Sequence, residues 1–456
     1  MLSAIASHLA MIAGVVLTIV ITPKLLRQRR AATSTTAWLM AILLVPPVGI
    51  PAYLMFGARK LKGESEIKPP LVAPPPEASL RPAQAGADKL MESYGLPSAR
   101  AGCRVALCAD GVDIYRRVME TIESADRRLH MASFILHPDS VGTAVIEALA
   151  QRARCGVEVR LLLDGFGSFR TSKRALDPIL RAGGETAFFL PVRLRTLART
   201  NLRNHRKMLI ADDARAVAGG ANVAGEYMGP EPDPKRWRDL SFLIEGPAVA
   251  DYAAIFAADW RFATGRDVEP ARPAPPAGEA IAQIAASGPD APGDPVYAAI
   301  LSAIFAAKRR LWVVTPYFIP PDALAEALAL AAHRGVDVRV YVPDPSNHPV
   351  ADLARGQPLR DAAAAGVNVI RFVGGMVHAK ILLVDDGLAM VGSVNLDPRS
   401  LFLNFEVNAV FYSAPEIKAV ERWIETLRDR TEKGVLPVSN LRDAIEGAAR
   451  MLDPLL

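Results

Sequence analysis

The sequence predicts an α/β protein with two tandem repeats, each a mixed β-sheet flanked by helices, joined into one pseudo-twofold domain behind an N-terminal transmembrane segment. Three observations support this fold class. The longest apolar runs lie before residue 63, a Pro-rich break divides the remainder into halves of comparable length, and both halves carry the same helix-strand pattern and the same polar motif. An internal repeat of this kind decides the fold more firmly than any single motif.

Composition excludes several classes of protein. Of the 456 residues, 51% are hydrophobic and 22% are charged, so the chain is neither disordered nor of low complexity. The 53 Lys and Arg against 48 Asp and Glu give a net charge of +5, which is compatible with an anionic partner such as a lipid headgroup or nucleic acid without identifying one. Three cysteines without paired spacing argue against a disulfide framework and favour a reducing compartment.

Residues 1–62 are predicted to be a membrane segment. Residues 2–22 contain no Asp, Glu, Lys or Arg and are long enough, as a helix, to cross a hydrocarbon layer of about 30 Å. A signal peptide is the alternative, but no basic residue precedes the run and no small-x-small cleavage site follows it before the basic cluster. A second run, residues 37–57, is interrupted by three prolines and predicts either the second span of a hairpin or a re-entrant element.

Pro-rich stretches divide the rest of the chain. Residues 63–88 predict a linker between the membrane segment and a first repeat at 89–267. Residues 268–295 predict a linker to a second repeat at 296–456.

Sequence likeness between the halves supports the duplication. Residues 125–129 read ADRRL and residues 307–311 read AKRRL, each between a helical pattern and an apolar strand. Each half continues with a helix and another strand, EALAQRARCGVEVRLLLDG in the first and EALALAAHRGVDVRVYVPD in the second. This alternation predicts a mixed sheet covered by helices, duplicated within one chain.

One polar motif, H-x-K-x4-D-x6-G-[GS]-x-N, occurs late in each half, at 205–222 and at 378–395. Its members are His205, Lys207, Asp212, Gly219, Gly220 and Asn222 in the first half, and His378, Lys380, Asp385, Gly392, Ser393 and Asn395 in the second. The apolar residues between Lys and Asp predict a buried strand, with His and Lys on one face of it. The glycine-containing turn that follows predicts a place where backbone can approach a small anion.

Two such motifs facing each other would enclose one phosphodiester. Lys207, Lys380, Asn222 and Asn395 can donate to its non-bridging oxygens without a metal. One neutral histidine can attack phosphorus while the other, protonated, donates to the leaving alkoxide, and an ordinary histidine pKa of about 6.5 suits both steps. Water or an alcohol would then resolve the phosphohistidine.

No cofactor is expected, and no metal, because H-x3-H, C-x2-C and HExxH spacings are absent from the sequence. Asp212 and Asp385 are predicted to hold the turn after the strand rather than to react. Four further histidines outside the membrane segment, His130, His137, His333 and His348, are interpreted as core residues with satisfied hydrogen bonds.

The duplicated motif resembles that of the phospholipase D superfamily, and within it the chain is similar to bacterial cardiolipin synthases. The similarity rests on PPVGIPAYLMFG, RNHRKMLIADDARAVAGGANVAGEY, WRDLSFLIEGP, TPYFIP and GGMVHAKILLVDDGLAMVGSVNLDPRSLFLNFE, and it covers nearly the whole chain. The resemblance implies transfer of a phosphatidyl group from one phospholipid, usually phosphatidylglycerol, to a second phosphatidylglycerol with release of glycerol. Hydrolysis by a phospholipase D or a nuclease-like phosphodiesterase is the alternative, and a catalytically idle membrane scaffold is a third.

The resemblance also assigns roles to residues. It makes His205 the nucleophile and His378 the general acid and then base, with the carboxylate downstream of each motif, Asp239 or Glu406, orienting the histidine of that motif. It places Tyr317 and Phe318 near the acyl or headgroup channel, and it matches Gly220 to the form that these synthases show.

The implied partners are an anionic phospholipid and the membrane, without nucleic acid, in a bacterial inner membrane with the catalytic domain in the cytoplasm. The basic stretch 193–207, which contains Arg193, Arg195, Arg199, Arg203, Arg206 and Lys207, is either a solvated face or a contact with anionic headgroups.

Overall fold

A computed structural model describes residues 32–44, 49–50, 53, 68, 86–191, 202–439, 442–443 and 446–447. The transmembrane helix predicted at 2–22 lies outside these residues. The second apolar run is described in part, beginning within helix α1, Ala32–Leu44. Across the described ranges, no helix combines the length and apolar character needed to span a membrane.

The strands of the described chain form a single mixed sheet of fifteen. They are β1 Arg100–Cys108, β2 Arg128–Ser133, β3 Glu158–Asp164, β4 Glu185–Phe189, β5 Met208–Ala211, β6 Arg215–Gly219, β7 Ser241–Glu245, β8 Ala280–Ser287, β9 Arg310–Val314, β10 Asp337–Pro343, β11 Asn368–Phe372, β12 Ile381–Val384, β13 Leu388–Gly392, β14 Glu406–Phe411 and β15 Thr431–Lys433.

Helices join the strands. After α1 they are α2 Ala87–Ser93, α3 Gly111–Glu123, α4 Ser140–Arg154, α5 Asp177–Arg181, α6 Val249–Thr264, α7 Pro295–Ala306, α8 Asp322–His333, α9 Pro349–Ala354, α10 Gly356–Ala364, α11 Pro398–Phe402 and α12 Ala414–Glu425. Side chains fix several of their beginnings. Asp110 accepts the backbone N–H groups of Val112 and Asp113 at the start of α3, and Asp139 accepts that of Gly142 in α4.

Strand order makes the predicted duplication visible. From the central antiparallel pair β1 and β8, the sheet continues outward as β7-β6-β5-β2-β3-β4 on one side and as β14-β13-β12-β9-β10-β11 on the other, where β15 adds an edge. The outer strands β2-β3-β4 and β9-β10-β11 are parallel, while their inner neighbours are antiparallel. The prediction of two repeats, each a mixed sheet flanked by helices, is confirmed.

The two halves share one apolar core in addition to the core that each has beneath its own helices. Across the shared core Phe242 of β7 meets Phe411 of β14 with ring centroids 5.2 Å apart, and Phe189 of β4 meets Phe405 at 5.0 Å. Burial of aromatic surface on this scale makes separation of the halves costly.

The motif strands and turns form as the spacing predicts. β5 and β12 are buried along their whole length. Asp212 and Asp385 follow these strands with φ of 53° and 48°, and each carboxylate accepts backbone N–H groups of three consecutive residues, 126–128 and 308–310. Each aspartate therefore ties the end of its strand to the entry of the neighbouring strand, β2 or β9.

The predicted linker boundaries need correction. β8 lies inside 268–295 and is a central strand, paired with both β1 and β14. Its sequence, AIAQIAAS, is dominated by alanine, which lacks the β-branched signature of a strand, and burial between neighbouring strands overrides that weak propensity. The first linker, 63–88, likewise contains the start of α2.

Candidate active site

Backbone contacts between the halves position the two histidines. His205 and His378 each lie in the segment just before a motif strand, rather than within it. The His205 N–H donates to the Phe405 carbonyl at 2.8 Å, and the His378 N–H donates to the Arg238 carbonyl at 2.7 Å. The residue after Phe405 is Glu406, and the residue after Arg238 is Asp239. The two backbone bonds therefore place His205 beside Glu406 and His378 beside Asp239.

The carboxylate of each half contacts the histidine of the other half. His205 Nδ1 lies 2.9 Å from Glu406 Oε2, and His378 Nδ1 lies 2.7 Å from Asp239 Oδ2. The expectation that each carboxylate orients the histidine of its own motif is wrong, because the backbone bonds run between halves. An ionised carboxylate accepts the Nδ1 proton, which leaves Nε2 of both histidines with its lone pair.

Aromatic side chains enclose both imidazoles. Phe134 meets His205 edge-on with a centroid distance of 4.8 Å, while Tyr227 and Trp237 lie 5.0 and 5.6 Å from His378. Sequence reasoning missed all three. Tyr227 and Trp237 lie near the first motif in the chain yet enclose the second histidine, so only the exchange between halves reveals their role.

Both motif lysines converge on the histidines. Lys207 Nζ donates to the backbone carbonyl of His205 at 2.6 Å. Lys380 Nζ donates to the backbone carbonyl of His378 and lies 2.8 Å from its Nδ1 and 3.1 Å from its Nε2. The amino group of each lysine therefore lies against its motif histidine.

The motif asparagines hold the surrounding loops. Asn222 Oδ1 accepts the N–H of Ile135 at 3.1 Å, and Asn395 Nδ2 donates to Ser400 Oγ at 3.2 Å. Both side chains are buried, and their contact with the phosphodiester stays a prediction.

Burial shifts the titration of the cationic groups. It lowers the pKa of His205 to about 4 and that of His378 to about 3, with the nearby lysines adding to the effect. It also lowers the pKa of Lys207 to about 7 and that of Lys380 to about 8. The expected histidine pKa near its ordinary value is therefore wrong, and both imidazoles are neutral at pH 7.

The carboxylates complete the charge balance. Burial acts to raise the pKa of Glu406 and of Asp239, but the paired histidine and the lysines outweigh it and hold both values below the ordinary range. Below the pKa of Lys207 two ammonium groups balance the two carboxylates, and above it the site has one positive charge fewer. A phosphodiester brings one negative charge, which protonation of one histidine would match.

The glycine-containing turn was predicted to let backbone approach a small anion, and the structure shows a different role for it. The Gly220 N–H donates to the Leu240 carbonyl at 3.0 Å and the Ser393 N–H to the Val407 carbonyl at 3.1 Å, so neither is available to an anion. A Cβ on Gly220 would lie 2.1 Å from Oδ1 of Asp239. The absence of a side chain there makes room for the carboxylate that holds the second histidine.

Tyr317 and Phe318 separate in the structure. Phe318 is buried in the apolar core of the second half, bridged by its backbone to Leu396, so its predicted substrate contact is wrong. Tyr317 donates its hydroxyl to Asn347 Oδ1 at 2.8 Å and packs against His348 with a centroid distance of 5.6 Å. A lipid contact at Tyr317 stays a prediction.

The other histidines differ from one another. His130 is buried, stacks on Phe256 at 4.7 Å and lies 3.2 Å from a Glu158 oxygen, which confirms the core reading. His333 and His348 are exposed, so that reading is wrong for them.

His137 is half-buried, and its Nδ1 lies 3.4 Å from Glu226 Oε1. His137, Asp139 and Glu226 have possible metal-ligand atoms that all lie within 4.8 Å of one another, and they form the one such group in the described part of the chain. Both Asp139 oxygens already accept backbone N–H groups, from Gly142 and Gly225.

A buried ionic cluster lies behind the first histidine, where sequence reasoning expected a solvated or lipid-facing basic stretch. Arg206 pairs with Asp259 at 2.6 Å and with Asp290 at 3.0 Å, and its Nε donates to the Glu406 carbonyl at 3.1 Å. Lys68 contacts the same two aspartates, at 2.6 Å from Asp290. Buried Arg206 and Lys68 thus support the backbone of the carboxylate that holds His205.

That expectation is also wrong for Arg203 and Lys207, which are buried. The other basic members of the stretch lie outside the described residues.

Two H-x-K motifs that share one site in a duplicated α/β fold define a phospholipase D-like domain. The chain belongs to the family described as cardiolipin synthase, PLD-like domain, whose model matches residues 118–260 and 300–428. A model described as phospholipase D-nuclease N-terminal matches residues 15–57.

Relatives agree with this membership, and a solved structure shares the fold. A cardiolipin synthase of Alkalihalophilus pseudofirmus is 31% identical over 94% of this chain and 90% of its own length. Cardiolipin synthase A of Pseudomonas entomophila is 32% identical over 94% of both chains. The fold is similar to that of a phosphatidylserine synthase from Haemophilus influenzae, with a TM-score of 0.63 and 16% identity over 81% of this chain and all of the other.

Proposed function

We propose that the chain is a cardiolipin synthase that transfers a phosphatidyl group from phosphatidylglycerol to a second phosphatidylglycerol through a phosphohistidine and releases glycerol. The observation that carries the proposal is the pair of buried histidines, each held at Nδ1 by a carboxylate of the other half and accompanied by a lysine. Relatives bearing that name over 94% of the chain support the choice of reaction.

In the first step, His205 Nε2 attacks phosphorus, and the bond from phosphorus to the glycerol headgroup oxygen breaks. His378, protonated in the complex, gives its proton to that oxygen, and glycerol leaves. The lysines stabilise the charge that develops on the non-bridging oxygens.

In the second step, neutral His378 removes the proton from a hydroxyl of the incoming phosphatidylglycerol, whose oxygen attacks phosphorus and releases His205. Water in place of this alcohol would give phosphatidic acid. Both imidazoles are buried and edged by aromatic rings, which limits access of water to the intermediate.

The membrane completes the proposal. The predicted span at 2–22 would hold the enzyme in a bacterial inner membrane with its catalytic domain in the cytoplasm. The match of residues 15–57 to an N-terminal model of phospholipase D proteins supports an anchor in this part of the chain.

The deciding experiment incubates the purified full chain in detergent with phosphatidylglycerol and identifies the products by lipid mass spectrometry. Cardiolipin and glycerol in equal amounts are expected, whereas phosphatidic acid alone would replace the synthase by a hydrolase. The His205→Ala variant should form no covalent phosphatidyl adduct, and trapping an adduct in it would show that the nucleophile is another residue.

A further inference from the structure

The loop that follows β3 exposes two phenylalanines beside the first histidine. Phe166 is 57% exposed, and Phe169, at 71%, is the most exposed large apolar side chain in the described part of the chain. Exposed aromatic rings cost free energy in water unless another surface covers them.

Hydrogen bonds hold this loop in one shape. Asp164, fully buried, accepts the backbone N–H groups of Phe166 and Gly167 at 2.8 and 2.9 Å. The N–H of Phe169 donates to the Phe166 carbonyl at 3.2 Å. The two rings are thus presented by a turn with satisfied backbone groups, rather than by a loose segment.

The inward side of the same loop is polar and reaches the active site. Ser168 Oγ donates to the Phe134 carbonyl at 2.9 Å, and the hydroxyl of Thr171 donates to the Leu136 carbonyl. Phe134 in turn packs on His205. The loop that carries the exposed rings therefore contacts the segment whose Phe134 ring packs on His205.

Basic residues follow the two phenylalanines in the chain, and no acidic residue occurs between 165 and 176. Arg170, Lys173 and Arg174 are all exposed, and the Arg170 guanidinium lies 5.8 Å from the Phe169 ring centroid. Aromatic rings flanked by arginine and lysine are the composition that binds at an anionic lipid interface, with the rings at the headgroup level and the cations at the phosphates.

We propose that residues 165–174 form an interfacial loop that inserts Phe166 and Phe169 into an anionic bilayer and so holds the first half of the active site against the lipid that supplies its substrate. The inference rests on the proposed function in one respect, that the substrate is an anionic phospholipid.

Insertion is measured with a fluorescent reporter on the full chain reconstituted in vesicles of phosphatidylglycerol and phosphatidylcholine. Cys155→Ser removes the exposed thiol, while Cys103 and Cys108 are buried and burial raises their pKa to about 11 and 12, so neither is a reactive thiolate. An environment-sensitive fluorophore is then attached at Phe169→Cys or, as a matched control, at Phe305→Cys, where the native ring is 55% exposed on α7.

The fluorophore at 169 should shift to the blue and be quenched by nitroxide on lipid, more strongly as the phosphatidylglycerol content rises, while the fluorophore at 305 stays accessible to iodide. Equal iodide quenching at both positions would overturn the proposal. Shielding at 169 from iodide and nitroxide alike would also overturn it, in favour of contact with a second protein copy.

Activity supplies an independent test. The Phe166→Ser/Phe169→Ser variant should lose about 10- to 30-fold in transfer on vesicles and keep its rate on a short-chain phosphatidylglycerol below its micelle concentration, with Phe305→Ser unchanged on both. Equal loss on both substrates would overturn the docking role. Absence of cardiolipin from the wild type would refute the proposed function instead, and the fluorophore experiment would still decide the loop.

Discussion

The buried cluster behind His205 makes a specific prediction for Lys68. Lys68 and Arg206 face Asp259 and Asp290, so two cations balance two carboxylates, and all four side chains are buried. Lys68→Met keeps the apolar stem and removes the charge, which leaves two buried carboxylates against one guanidinium.

Breaking a buried ion pair costs about 3–5 kcal/mol, because the remaining charge has lost its partner. In the variant, one aspartate avoids this cost by taking up a proton. The wild-type cations hold the pKa of Asp290 below its ordinary value against the opposing effect of burial, and loss of Lys68 raises it. Stability is therefore almost unaffected at pH below the unfolded carboxyl pKa, and the penalty grows by about 1.4 kcal/mol per pH unit above it until the folded pKa is reached.

Thermal unfolding of the full chain in detergent, followed by tryptophan fluorescence, measures this effect. Lys68→Met should lower the midpoint more at pH 8 than at pH 5, the exposed control Lys89→Met should leave it unchanged, and Lys68→Met/Asp290→Asn should recover most of the loss by restoring one charge of each sign. A midpoint equal to wild type at both pH values, or a double variant no better than the single one, would refute the reasoning.

Three further predictions concern the reaction. Glu406→Gln, which removes the carboxylate at His205 Nδ1, should slow formation of the phosphatidyl adduct by about 10²- to 10⁴-fold in a rapid-quench experiment, and an unchanged burst rate would contradict the exchanged pairing. Gly220→Ala should lower kcat by about 10- to 100-fold because its Cβ meets Oδ1 of Asp239, and wild-type kcat would show that the carboxylate has room to move. KM for phosphatidylglycerol should rise between pH 6 and pH 9, because the side chain of Lys207, with a pKa of about 7, is charged below that pH and neutral above it. The Lys207→Arg variant should show a flatter dependence of KM on pH, even if its rate is lower. A KM that does not change with pH in the wild type would contradict the assignment.

The local parts of the fold and site could be read from the sequence. Motif spacing identified His205 and His378 together with their lysines, and apolar filling predicted β5 and β12. Asp212 was correctly assigned to the turn, because an aspartate after a buried strand has backbone N–H groups within reach.

Parts that depend on contacts between distant segments were not predictable. Nothing in the spacing of Asp239 or Glu406 says which half receives the carboxylate, because that depends on how the sheets meet. Lys68 lies in a Pro-rich stretch with no local pattern. Its buried partners, Asp259 and Asp290, are 191 and 222 residues further along the chain. Phe318 was misassigned because an aromatic residue at a strand end looks the same in sequence whether it faces a ligand or a core.

Exchange of the carboxylates makes the duplication obligatory for the chemistry. One repeat on its own would carry a histidine without the carboxylate that fixes its tautomer, and a carboxylate without a histidine partner. Both contacts could form again only if the repeat paired with a second copy of itself. In the single chain, substitution of Glu406 or Asp239 removes the hydrogen-bond partner of a histidine more than a hundred residues away.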